Sequence, residues 1–184
     1  MSGQTPPITF LPVDLSRWDH GPGGDTLVVP VWSDVRPLRG AAGLLDWRLC
    51  GRLSQMIREG RVSGAAREKL LLVTSRIPWR RVLAVGVGES TAFCEDAFRS
   101  TVDCSLQALR GIGASSVAMA LPGRDIDLIR PDRAVRHFMD ALAQSEQPGG
   151  PWLERLTVID APSAAKTMSD ASRTMPSAHA GSPE

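Results

Sequence analysis

The sequence predicts an α/β fold, a layered sheet with helices on both faces, and three observations carry that reading. Apolar runs of strand length alternate with segments whose apolar residues recur every three or four positions, and helices fall between strands in at least three places. The run Val82-Leu83-Ala84-Val85-Gly86-Val87 has no polar residue at alternate positions, as a strand covered on both faces requires. At 184 residues, 42% hydrophobic and 22% charged, the chain has the size and balance of one domain. That length buries a core without disulfide or metal staples.

Residues 8–13 form a short apolar run broken by Pro12, which suits a first or edge strand. The turn segment DHGPGGD (19–25) leads into TLVVPV (26–31), where Pro30 lacks a ladder donor and so belongs near the strand's end or beside a bulge. Across residues 41–59, Leu45, Leu49, Leu53, Met56 and Ile57 recur at helical spacing, predicting one amphipathic helix that ends at Gly60. Gly51 lies inside it at a cost of roughly 1 kcal/mol relative to alanine. A close backbone approach would explain it. Strands follow at Lys69–Thr74 and Arg81–Val87, separated by Ile77-Pro78-Trp79. A second helix spans Ala92–Arg110, with Ser90 or Thr91 as its cap and Glu95 and Asp96 at its positive end. Ser116–Leu121 reads as the fifth strand, Pro131 opens a helix running to residue 144, and Leu156–Asp160 is the sixth strand. Residues 161–184, rich in Ala, Ser and Pro, read as a disordered tail behind a domain of residues 1–160.

The charge balance is nearly even: 21 Lys and Arg against 20 Asp and Glu, net +1. A dedicated nucleic-acid binder carries a basic excess, so the balance gives no strong nucleic-acid signal, although a local basic patch is compatible with it. Cys50, Cys94 and Cys104 are widely spaced and form no CxxC, which points to a reducing compartment and to small buried side chains. No basic leader with a long apolar run opens the chain, and no stretch reaches the 18 apolar residues of a membrane span, so the cytoplasm is the default location.

Gly86 and Gly88 close a buried strand just before a helix, the place where open α/β sheets bind ligands beyond strand carboxyl ends. They are the candidate ligand-loop residues, set against a plain tight turn. GVGES is not GxGxxG, Glu89 adds a negative charge, and no GxxxxGK[ST] occurs. His20, His137 and His179 have no metal-ligand spacing, and no HExxH or GxSxG is present. Asp125 and Asp127 read as solvent-facing loop carboxylates rather than magnesium ligands. Of the five tryptophans, any two sharing an exposed patch would anchor a protein partner; singly, each belongs to core or rim.

TLVVPV (26–31), the run AAGLLDWRLCGRLSQMIREGRVSGAAREKLLLV (41–73), RRVLAVGVGES (80–90) and LRGIGASSVAMALP (109–122) stand in an order and spacing similar to the N-terminal domain of the leucyl aminopeptidase family. The resemblance covers most of residues 8–160. It implies a macro-domain-like, three-layer α/β/α sandwich with a mixed sheet of about six strands. In that family the dimetal peptidase site and its NTDAEGR segment belong to the C-terminal domain. Neither appears in these residues, so no catalytic residue, metal or cofactor carries over. The expectation is a non-catalytic domain acting in protein association, with itself, a separately encoded peptidase or another partner. The alternative is a module binding a nucleotide or ADP-ribose-like ligand.

Overall fold

The computed structural model describes residues 8–145 and 152–174. In chain order the elements are β1 (Ile8–Pro12), α1 (Leu15–Asp19), β2 (Gly24–Trp32), α2 (Gly40–Arg48), α3 (Arg52–Arg58), β3 (Lys69–Val73) and β4 (Trp79–Gly88). After a 3-10 turn at Ser90–Ala92 come α4 (Glu95–Gly111), β5 (Ser116–Ala120), α5 (Pro131–Ser145), β6 (Arg155–Asp160) and α6 (Pro162–Arg173). The six strands lie in the order β1-β6-β5-β2-β4-β3, every neighbouring pair parallel except β3–β4. The fold is therefore a mixed six-stranded α/β/α sandwich.

Strand alternation sorts β2 into two cores. Val28 joins Leu83 and Val85 of β4 beneath Phe98 and Val102 of α4, Phe138 of α5 and Met168 of α6. Leu27, Val29 and Val31 point the other way, against Trp18 of α1, Leu45 of α2 and Leu53 of α3. So α4, α5 and α6 cover one face and α1, α2 and α3 the other. Truncating a fully buried anchor such as Phe138 to alanine costs about 3–5 kcal/mol by lost transfer energy plus cavity.

Four expectations change. The single helix of 41–59 is two, because Cys50 and Gly51 adopt left-handed φ of 56° and 76° between α2 and α3. Gly51 is thus needed for its conformation and not for a close approach: a Cβ there meets nothing within 4 Å. Part of the expected tail is ordered. Ala164, Met168 and Ala171 recur at helical spacing and are buried, so α6 docks on the domain and the body runs past residue 160. Composition hid this stripe because two of its three residues are alanines. Residues 175–184, with His179, lie outside the described residues. Of the cysteines only Cys104 is buried; Cys50 and Cys94 are exposed. Finally, α1 was unforeseen, and it is short but capped, the Asp14 carboxylate accepting from the Ser16 N–H at 2.8 Å.

No helix among the described residues is long and apolar enough to cross a membrane.

Candidate functional site

The helix after β2 packs on one face while those after β4, β5 and β6 pack on the other. Both neighbours of β2 therefore meet it at a switch point, where diverging connections leave a crevice at the strand carboxyl ends.

The β2/β4 crevice is filled by the chain itself. The Gly86 N–H donates to the Glu68 carbonyl at 2.8 Å and the Gly88 N–H to the Gly64 carbonyl at 2.9 Å. The Ser33 N–H donates to the Gly88 carbonyl at 3.0 Å, tying the two strand ends together. A Cβ on Gly86 would overlap the Ala65 carbonyl oxygen, and Gly88 has φ 92°. Glycine is required here for backbone packing, and neither N–H is left for an anion. Glu68 locks the covering segment: its carboxylate accepts from the N–H groups of Ser63 and Gly64 at 2.9 and 2.8 Å. Burial works to raise the Glu68 carboxyl, and those bonds outweigh it, holding the group below its ordinary range.

The β2/β5 crevice is open. The β2–β5 ladder ends at Val28↔Met119, and Pro30, two residues on, has no donor with which to continue it. Beyond that point lies a cleft of about 320 Å³ floored by Pro30, Ala120 and Ile159. Arg39, Gly40 and Ala41 at the start of α2 form one wall, and Ala161 and Ser163 at the start of α6 form another. Neither helix receives a bond from the side chain of its N-cap residue, Arg39 or Ala161, and both turn their positive dipole ends to this space. At α6, though, Pro162 has no N–H and the Ala164 N–H already donates to the Ala161 carbonyl at 2.9 Å, so α2 is the better donor.

The loop after β5 supplies the charges. The Arg124 guanidinium grips Asp160 at the end of β6, Nε to Oδ2 at 2.8 Å and Nη2 to Oδ1 at 3.2 Å, and Nη1 donates to the Ile129 carbonyl at 2.6 Å. Their side chains are only 9% and 5% exposed. The Ala161 N–H also donates to Asp160 Oδ1 at 2.6 Å, so this carboxylate sits on the N-terminus of α6. Beside the pair, Asp125 Oδ2 accepts from the Trp32 indole at 2.9 Å. Its Oδ1 is buried without a partner among the described residues. Burial pushes the Asp125 carboxyl above its ordinary range, ahead of the opposing Trp32 bond. Gly40, at φ 53°, allows the approach: a Cβ there would lie 2.7 Å from that of Asp125. Phe93 packs edge-on to Trp32 at 5.2 Å and leaves no room for a side chain at Gly123.

Asp127 is a solvent-facing carboxylate as expected, 90% exposed, whereas Asp125 is not. Arg39, Arg124 and Asp160 escaped the sequence reading, and Asp125 reads from sequence only as a solvent-facing loop carboxylate. The available signal was Pro122-Gly123 directly after a buried strand, the same strand-end logic that singled out Gly86 and Gly88. His20 is exposed just after α1, and His137, on α5, faces Arg99 of α4; neither lines the cleft. No group of three or more His, Cys, Asp or Glu gathers as a metal site among the described residues.

Residues 28–145 match the model of the cytosol aminopeptidase family, N-terminal domain. The chain belongs to that family. What it matches is the family's non-catalytic N-terminal module, and its fold is that of a macrodomain. A probable cytosol aminopeptidase of Pseudomonas syringae pv. tomato is 31% identical over 122 residues, 66% of this chain and 24% of the relative. The chain thus spans about a quarter of the length of such curated relatives. Among solved structures, a mutant of tomato leucine aminopeptidase superposes with TM-score 0.59 at 17% identity, over 94% of this chain and 37% of that one. A Trypanosoma brucei macrodomain in complex with ADP-ribose superposes with TM-score 0.67 at 17% identity, over 90% of this chain and 68% of that one. This aminopeptidase-family domain and the macrodomain thus share a fold, not a closely related sequence.

Proposed function

We propose that the domain is a binding module for an adenosine diphosphate ligand of the ADP-ribose class, held in the β2/β5 cleft. The observation that carries this is the convergence of the α2 and α6 N-termini, the first without a side-chain cap, and a buried arginine on one open switch-point crevice. That combination is built for a diphosphate, since orphan N–H groups and a guanidinium fork both donate to phosphate oxygens. The fold likeness to a macrodomain that was solved with ADP-ribose supports the same reading. The ligand is placed here and not at Gly86 and Gly88, whose donors are already bonded.

Each cleft residue has a role in this reading. The first-turn N–H groups of α2 take one phosphate, and exposed Arg39 screens it at the mouth. Arg124 takes the other by giving up part of its grip on Asp160, so Asp160 acts as an internal competitor for the ligand. The unpartnered Asp125 Oδ1 pairs with a ligand hydroxyl.

Isothermal titration of the 184-residue chain with ADP-ribose and ADP tests the proposal. Saturable binding is expected, with a matching rise in the thermal midpoint, because a ligand at about 100 times its Kd stabilises by about 2.7 kcal/mol. Absence of both heat and stabilisation at about 1 mM ligand, which corresponds to less than about 4 kcal/mol of binding, sinks it.

A further inference from the structure

The near-zero net charge conceals a strong asymmetry. Residues 48–81 hold nine Arg and Lys against only Glu59 and Glu68, +7 within a chain of net +1. This segment includes α3, β3 and the start of β4, at the edge of the sheet opposite β1. Among the described residues Arg52, Lys69, Arg76 and Arg80 are exposed and enter no salt bridge.

The same edge carries unpaired backbone. Among the described residues β3 pairs only with β4, and the Thr74 N–H bonds the Arg80 carbonyl at 3.2 Å. Alternation then turns Leu70 and Leu72 toward β4 and directs the N–H and C=O groups of Lys69, Leu71 and Val73 outward. Leu71 and Val73 are 44% and 77% exposed, where an edge strand is ordinarily blunted. A groove of about 450 Å³ runs beside them, lined by Leu49, Arg52, Leu72, Val73 and Arg76.

We infer that β3 receives an acidic extended segment of a protein partner as a seventh strand. The outward backbone groups supply the ladder, Leu71 and Val73 pack its apolar side chains on one face, and Arg52 and Arg76, which line the groove with Leu72, take its carboxylates on the other. A second copy of this chain is a poor occupant, because it would set the same cations against each other. A nucleic acid would use the cations but leave the outward carbonyls and both apolar side chains unmatched.

The probe is a capped eight-residue peptide alternating glutamate and valine, labelled with fluorescein and followed by anisotropy, with amide hydrogen exchange on the complex. Saturable binding is expected, weakening as salt rises from about 50 to about 200 mM. Exchange at Lys69, Leu71 and Val73 should slow, and a lysine–valine peptide should not bind. Val73→Pro removes an outward donor and leaves the β4 ladder intact, so it should abolish that protection. The double variant Arg52→Glu/Arg76→Glu, which tests the charges without touching the strand backbone, should weaken binding about tenfold. The inference is overturned by no binding at low salt or by equal binding of the lysine peptide. It is also overturned if single-stranded DNA binds in preference without protecting β3, or if protection tracks concentration-dependent dimerisation in light scattering.

Discussion

Two crevices flank β2, and they differ in what occupies them. The β2/β4 crevice carries the glycines that look like a ligand loop and is packed with the chain's own backbone from residues 64–68. The β2/β5 crevice has no glycine-rich signature and stays open, with two helix N-termini and a held arginine around it. Glycine at a strand end marks a close approach, and the approaching group can be protein as readily as ligand. What distinguishes a site is donors that the fold leaves without partners.

The largest effect is expected at the pair bordering the open crevice. Arg124→Met leaves Asp160 buried without its counter-charge and should lower unfolding free energy by about 3–5 kcal/mol in urea titration. It should also remove ADP-ribose binding. A loss under about 1 kcal/mol would mean that water reaches the pair freely.

Gly86→Ala comes next, with a loss of about 3 kcal/mol from the overlap with the Ala65 carbonyl. Its folded fraction should bind ADP-ribose with unchanged affinity, which is the sharpest contrast between the crevices. A tenfold fall in affinity would bring the β2/β4 crevice into the ligand site. Gly40→Ala reverses the pattern. Its left-handed φ and the crowding of Asp125 predict a cost of about 1–2 kcal/mol in stability. Calorimetric affinity should fall more than Gly86→Ala lowers it.

The smallest effect is at Asp125, whose folded carboxyl titrates above its ordinary value of 3.8. The folded state therefore binds this proton more tightly than the unfolded chain does. The resulting stabilisation is complete below 3.8 and is lost as pH rises through the folded value. Asp125→Asn keeps an acceptor for the Trp32 indole and carries no charge. Its thermal midpoint should exceed wild type at pH 7, and the gap should close as pH is lowered. A constant gap across pH would assign the effect to packing.

Strand and helix types were legible because periodicity is a local property. TLVVPV, LAVGV and the α5 stripe of Ala134, Val135, Phe138 and Leu142 each record which face is buried. The break at Cys50-Gly51 was missed because the apolar spacing runs through it, and α6 because alanine buries little area and leaves a faint pattern. Net charge was misleading for a different reason: it averages over the chain, while a partner meets only one surface.

By itself the sequence determined the layers, the six strands and the domain class, since these follow from how apolar residues repeat along the chain. Only the tertiary structure decided which strand-end donors remain free. Arg124 and Asp160 lie 36 positions apart, and Gly40 and Asp125 lie farther still. Whether a carbonyl or empty space faces an N–H depends on what the fold brings across from such distances, and no local pattern encodes it.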